Sequence, residues 1–124
     1  MSKATVLVVE DDIHLLSGIR EILELDDYSV LTAQNGLQGL DKLQATEAPP
    51  DVIVSDIMMP HMDGFILTSE VRKMPGSVNL PIVLVTSLGS VEHREKGVEA
   101  GADAYIVKSS FDQGNLLEVI QRLA

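Results

Sequence analysis

Three carboxylates stand in a row at Glu10-Asp11-Asp12, directly after the apolar run Val6-Leu7-Val8-Val9. Further along, Asp56 follows the segment DVIVS, Thr86 closes PIVLVT with Ser87 beside it, and Lys108 follows Ala104 to Val107. Clustered carboxylates repel one another unless a cation neutralises them. Oxygen donors without cysteine or grouped histidine suit a hard cation such as Mg²⁺. A carboxylate beside such a metal can act as a nucleophile and form an aspartyl phosphate. Asp56 is the candidate, because it stands alone at the end of an apolar run where one side chain can be aimed. Lys108 would supply a point positive charge and Thr86 a hydrogen-bond donor to phosphoryl oxygens.

Taken singly, each of these residues has a plainer reading. Asp12 has the position of a helix N-cap, and Thr86 that of a strand-end hydroxyl bonding to backbone. Lys108 reads as a solvated side chain, and Met58, Met59 and Met62 as flexible packing. His14, His61 and His93 are too scattered for a ligand set and read as exposed. The weight lies in the coincidence of acids, hydroxyl and ammonium, each at the carboxyl end of an apolar run.

The elements that must position these groups follow from periodicity. Ala4 to Val9 is β-branched and apolar without polar alternation, as in a strand covered on both faces. Ile13, Leu16, Ile19, Ile22 and Leu23 then recur at helical spacing. Tyr28 to Ala33 is the second strand, and Leu37, Leu40 and Leu43 mark a helix that Pro49 and Pro50 stop. After Asp51 to Ser55, Asp63 caps a helix from Gly64 to about Lys73, with Phe65, Ile66 and Val71 as its buried contacts. Pro81 to Thr86 is the fourth strand, followed by a helix capped by Ser90, with Glu92 in its first turn and closed by Gly101. Ala104 to Val107 is the last strand, and Ser110 with Gln113 has capping-box spacing ahead of Leu116, Leu117, Ile120 and Leu123.

Five βα units in series predict an α/β fold: an open, doubly wound, parallel sheet with helices on both faces. An eight-fold barrel needs more units than the chain holds. In an open sheet of this kind the site lies at the carboxyl ends of the strands, near the topological switch point. With 124 residues, the sequence reads as one domain over 1–124. Nine Lys and Arg against nineteen Asp and Glu give a net charge of −10, which repels nucleic-acid phosphates and anionic membrane surfaces. The apolar runs fall far short of a spanning helix, and no signal peptide is visible. The absence of cysteine excludes disulfides and thiolate chemistry and fits a cytoplasmic protein.

The pattern resembles the receiver domains of two-component response regulators over essentially the whole chain. VVEDD matches the acidic pair, with Glu10 and Asp11 in its positions and Asp12 just outside. SDIMMPHMDG, from Ser55 to Gly64, matches the phosphoacceptor segment, with Pro60, Asp63 and Gly64 holding the loop after Asp56. VTS matches the switch hydroxyl at Thr86, and YIVK the switch aromatic at Tyr105 and the lysine at Lys108. The resemblance implies a flavodoxin-like fold with strand order 2-1-3-4-5. It implies that Asp11, Asp56 and the backbone carbonyl of Met58 bind Mg²⁺, with Glu10 acting through metal-bound water. The phosphoryl group would come from the histidine of a sensor kinase or phosphotransfer domain. Phosphorylated Asp56 would draw Thr86 inward, Tyr105 would follow, and the face of the fourth helix, fifth strand and fifth helix would change toward a downstream protein target.

Two departures stand out. The family usually has proline after the lysine, commonly with a cis bond, whereas Ser109 stands here. A cis bond before a non-proline residue costs roughly 2.5–4 kcal/mol, which leaves the Lys108–Ser109 isomer open. The run KSSFDQ resembles receivers fused to the ends of chemotaxis-type hybrid kinases, so a stand-alone protein and an excised domain both fit. The second departure is apolar Met58 and Leu88, two residues after Asp56 and Thr86, which are expected to hinder the attacking water and prolong the phosphorylated state. Two rivals remain: a Mg²⁺-dependent phosphohydrolase with an Asp nucleophile, and a binding module that works without phosphorylation. The first would need a second acid for the leaving group and a substrate cap; the second would be marked by loss of Asp56, Lys108 or the acidic pair, all of which are present. The expected protein is therefore a switch, not an enzyme beyond its own phosphorylation and dephosphorylation.

Overall fold

The computed structural model describes residues 3–46, 48–87, 90–107 and 113–124. Five strands, β1 (Thr5–Val9), β2 (Ser29–Ala33), β3 (Val52–Ser55), β4 (Ile82–Thr86) and β5 (Ala104–Val107), alternate with five helices. The helices are α1 (Ile13–Leu25), α2 (Gly36–Ala45), α3 (Gly64–Lys73), α4 (Val91–Ala100) and α5 (Gln113–Leu123). All neighbouring strands are parallel, in the order β2-β1-β3-β4-β5. This is the expected flavodoxin-like arrangement.

The unbroken apolar runs are explained by burial on both sides of the sheet. Alternate residues divide between two cores. Val6, Val8, Val52, Val54, Val83 and Val85 meet Leu16, Ile19 and Leu23 of α1 and Leu116, Val119 and Ile120 of α5. Leu7, Val9, Ile53, Ile82 and Leu84 meet Leu43 of α2 and Leu67 and Val71 of α3. α4 lies on this second side, where Gly97 abuts Tyr105 and Leu84. Among the described residues, no helix is long and apolar enough to cross a membrane.

The caps fall where the sequence places them. Asp12, Asp63 and Ser90 accept backbone N–H groups at the starts of α1, α3 and α4. Asn35 caps α2, and Gly101, at φ 105°, closes α4 in the left-handed conformation. The Ser110–Gln113 capping box lies outside the described residues.

Three expectations about packing are corrected. Ile66 is 49% exposed, and the inward stripe of α3 is instead Gly64, Leu67, Thr68 and Val71, one i, i+3, i+4, i+7 row. Ile13 at the first turn of α1 is 58% exposed, because the helix enters the core only at Leu16. His93, expected to be exposed, is half-buried, its Nδ1 2.6 Å from Ser90 Oγ. The second helix also ends at Ala45, short of the prolines.

Arg72, near the end of α3, binds two separate segments, the approach to β4 and the turn before β5. Its guanidinium donates to the carbonyls of Gly101 (3.0 and 2.7 Å) and Leu80 (2.5 Å) and to the Asp103 carboxylate (2.9 Å). Asp103 in turn accepts the Ile82 N–H at 2.8 Å, so one ion pair ties α3 to the starts of β4 and β5. Arg72→Met strands those carbonyls and is expected to lower stability by about 2–3 kcal/mol in urea unfolding. Gly18, inside α1, has no atom within 4 Å of where a Cβ would stand. Gly18→Ala is expected to raise stability by about 0.5–1 kcal/mol in the same assay.

Candidate phosphoacceptor and metal site

The sheet ladder builds the site. β1 and β3 lie side by side with Val9 opposite Ser55, and each chain continues one residue past its strand still bonded to its neighbour. Glu10 N–H donates to Ala33 O at 3.0 Å and Asp56 N–H to Val9 O at 2.9 Å. Glu10 and Asp56 are therefore delivered next to each other at the carboxyl edge. β1 leads outward to β2, whereas the chain then returns to β3 on the other side of β1, so this edge is the topological switch point.

Glu10, Asp11 and Asp56 each present a carboxylate oxygen, and these oxygens lie within 4.8 Å of one another. Glu10 and Asp56 are buried, and Asp11 is exposed at the mouth. Two like charges about 4 Å apart in a protein-like dielectric repel by about 4 kcal/mol, so a cation is the natural complement. The donor set is all oxygen, which fits a hard divalent ion. Of the sequence-predicted ligands, these three side chains are brought together; Met58 is 62% exposed in the loop that follows Asp56.

Local hydrogen bonds aim the acids. Asp12 N–H donates to Glu10 Oε2 at 3.2 Å, while the Asp12 side chain accepts from His14 and Leu15 N–H at the start of α1. Asp12 is thus both helix cap and support for Glu10. Ile57 N–H donates to Asp56 Oδ1 at 2.7 Å, and Ser55 Oγ donates to the Asp56 carbonyl at 2.8 Å.

The chain from Asp56 to Gly64 forms a loop whose ends meet. Gly64 N–H donates to Ile57 O at 2.8 Å. A Cβ on Gly64 would collide with the Asp56 carbonyl oxygen, so only glycine admits this approach. At the far end of the loop, Met62 N–H donates to Pro60 O at 2.8 Å around His61, whose φ is 71°. This tight γ-turn places a non-glycine residue in the left-handed region, a strain of roughly 1–3 kcal/mol. Its only mark in the sequence is an ordinary surface histidine.

Thr86 is fully buried at the end of β4. Tyr105 on β5 faces the α2, α3 and α4 side, where its ring edge rests on Gly97 and the Arg94 guanidinium lies 5.4 Å from its centre. Burial pushes the Tyr105 phenol above its ordinary pKa, and the Arg94 charge offsets part of that shift. Lys108, the Lys108–Ser109 peptide and Leu88 lie outside the described residues.

Comparison with known proteins agrees with this geometry. The family model for the response regulator receiver domain matches residues 6–121. The sensor histidine kinase CheAY of Helicobacter pylori is 42% identical over 103 residues, a match that covers 83% of this chain and 13% of that protein. The transcriptional regulatory protein PrrA of Mycobacterium leprae is 41% identical over 108 residues, covering 87% of this chain and 45% of PrrA. The chain thus spans less than half the length of either relative. The solved structure of Vibrio cholerae chemotaxis protein CheY4 superposes with a TM-score of 0.89 at 35% identity, over 98% of both chains. The signal receiver domain of a histidine kinase from Syntrophus aciditrophicus superposes with a TM-score of 0.88 at 31% identity, over 97% of this chain and 89% of that one. From the acids at the switch point to the strand order that converges them, the chain belongs to the response regulator receiver domains of two-component signalling.

Proposed function

We propose that this receiver is a switch that takes a phosphoryl group on Asp56 from the phosphohistidine of a sensor kinase or phosphotransfer domain. The carrying observation is the convergence of Glu10, Asp11 and Asp56 within 4.8 Å at the β1/β3 switch point. An Asp56 carboxylate oxygen attacks phosphorus, the P–N bond of the donor breaks, and the donor imidazole leaves and ends neutral once its ring holds a single proton. Asp11, Asp56 and the Met58 carbonyl would hold Mg²⁺, and Glu10 would act on it through water. When bound, Mg²⁺ offsets the carboxylates and the incoming phosphoryl charge. Lys108 and Thr86 are assigned to the phosphoryl oxygens as point charge and hydroxyl donor.

The readout is a population shift between two packings. Thr86 moves toward the phosphoryl group, Tyr105 follows into the space it leaves, and the face of α4, β5 and α5 changes for a downstream protein. Two observations support this route: Thr86 closes β4, which pairs directly with the strand that carries Tyr105, and the Tyr105 ring rests against Gly97, which has no side chain to hold it in place. The fit of this acidic chain is to protein partners in the cytoplasm rather than to nucleic acid.

Incubation with Mg²⁺ and acetyl phosphate is expected to yield a base-labile phosphate on the protein, read by intact-mass spectrometry. The reading fails if Asp56→Asn is labelled to the same extent. Apolar Met58 and Leu88, two residues along the chain from Asp56 and Thr86, are expected to hinder hydrolysis, so the phosphorylated protein outlasts a few seconds with Mg²⁺ present. Met58→Asn is expected to shorten its half-life several-fold, because a polar side chain there can orient the attacking water; an unchanged half-life would count against this role.

A further inference from the structure

Gly36 is the first residue of α2 and belongs to none of the elements that carry the acids. A Cβ there would stand 2.8 Å from the Met62 carbonyl oxygen, 2.8 Å from Met62 Cγ and 2.9 Å from Met62 Cβ. Real Cβ atoms are not found so near backbone, and the carbonyl cannot swing aside as a side-chain tip can. The tip of the β3–α3 loop is therefore seated in a notch that exists because residue 36 has no side chain.

The seat has a task. The loop is held at its neck by Gly64 N–H on Ile57 O, and its tip contains the strained turn at His61, closed by Met62 N–H on Pro60 O. Strained backbone persists only where its surroundings over-determine it. Met62, next to that turn, is the residue that presses on Gly36. Met58 lies between the neck and the tip, and is 62% exposed.

We infer that Gly36 is a positioning residue for the cation: by seating Met62 it fixes the loop whose Met58 carbonyl completes the oxygen set. This rests on the proposed reading of the acidic site. A bulkier residue 36 displaces Met62, the turn at His61 relaxes, and the Met58 carbonyl loses its fixed direction. The acids themselves stay in place, because the sheet ladder holds Glu10 and Asp56 independently of α2.

The test is Mg²⁺ titration by calorimetry with no phosphodonor present, paired with thermal unfolding in the absence of Mg²⁺. Gly36→Ala is expected to weaken Mg²⁺ binding about tenfold, the usual scale for removing support behind a ligand. Gly39→Ala, one turn further along α2 and directed at Val9 rather than the loop, is expected to move the Tm while leaving Mg²⁺ affinity unchanged. Met62→Ala, which removes the side chain seated on Gly36 together with its packing at the edge of the second core, is expected to weaken Mg²⁺ binding in the same direction as Gly36→Ala. Wild-type affinity in Met62→Ala, or equal affinity in Gly36→Ala and Gly39→Ala, overturns the inference and leaves the site assignment standing. Failure of the wild-type protein to bind Mg²⁺ overturns both.

Discussion

Mutual repulsion among Glu10, Asp11 and Asp56, whose oxygens converge within 4.8 Å, is the constraint around which the molecule is arranged. Left to itself, the chain would separate these charges. The parallel ladder prevents that, since Glu10 and Asp56 are still bonded to Ala33 and Val9 one step beyond their strands. Burial of the strands on both faces makes the register costly to change, because a slip by one residue would exchange the two cores. Hydrophobic burial thus holds together carboxylates that repel one another, an arrangement that a cation at this edge would relieve.

The two sides of the sheet differ in how firmly they are packed. α1 and α5 press large aliphatic side chains into one core. On the other side, α4 buries only Gly97 and rests against Tyr105, with Val91 and Val98 left 69% and 74% exposed. An element with so little buried apolar area is the one that can shift at low cost. Arg72 limits how far that looseness spreads, because it bonds the α4–β5 turn at Gly101 and Asp103 to α3.

The local logic was legible in the residues. Unbroken runs such as PIVLVT announced two-sided burial, Asp12, Asp63 and Ser90 announced helix starts, and acids at the ends of two runs announced an acidic cluster at one edge of the sheet. Packing was less legible. Phe65, Ile66 and Leu67 are consecutive and apolar, and only the angle at which α3 meets the sheet decides that Leu67 is buried and Ile66 exposed. His61 is likewise an unremarkable letter in the sequence, and its left-handed conformation is imposed by the loop around it.

By itself, then, the sequence determined which groups are present and at which strand ends they stand, because alternation and capping depend on neighbours a few residues apart. Tertiary structure decided what supports them. Met62 seats on Gly36, Gly64 lies against Asp56, and Arg94 stacks on Tyr105. The contacts to Gly36 and Tyr105 join elements that come together only when helices dock on the sheet, and even the short Gly64–Asp56 closure depends on the path of a loop. Strand register and helix docking, set by burial over the whole chain, decide such contacts, and no local pattern encodes them.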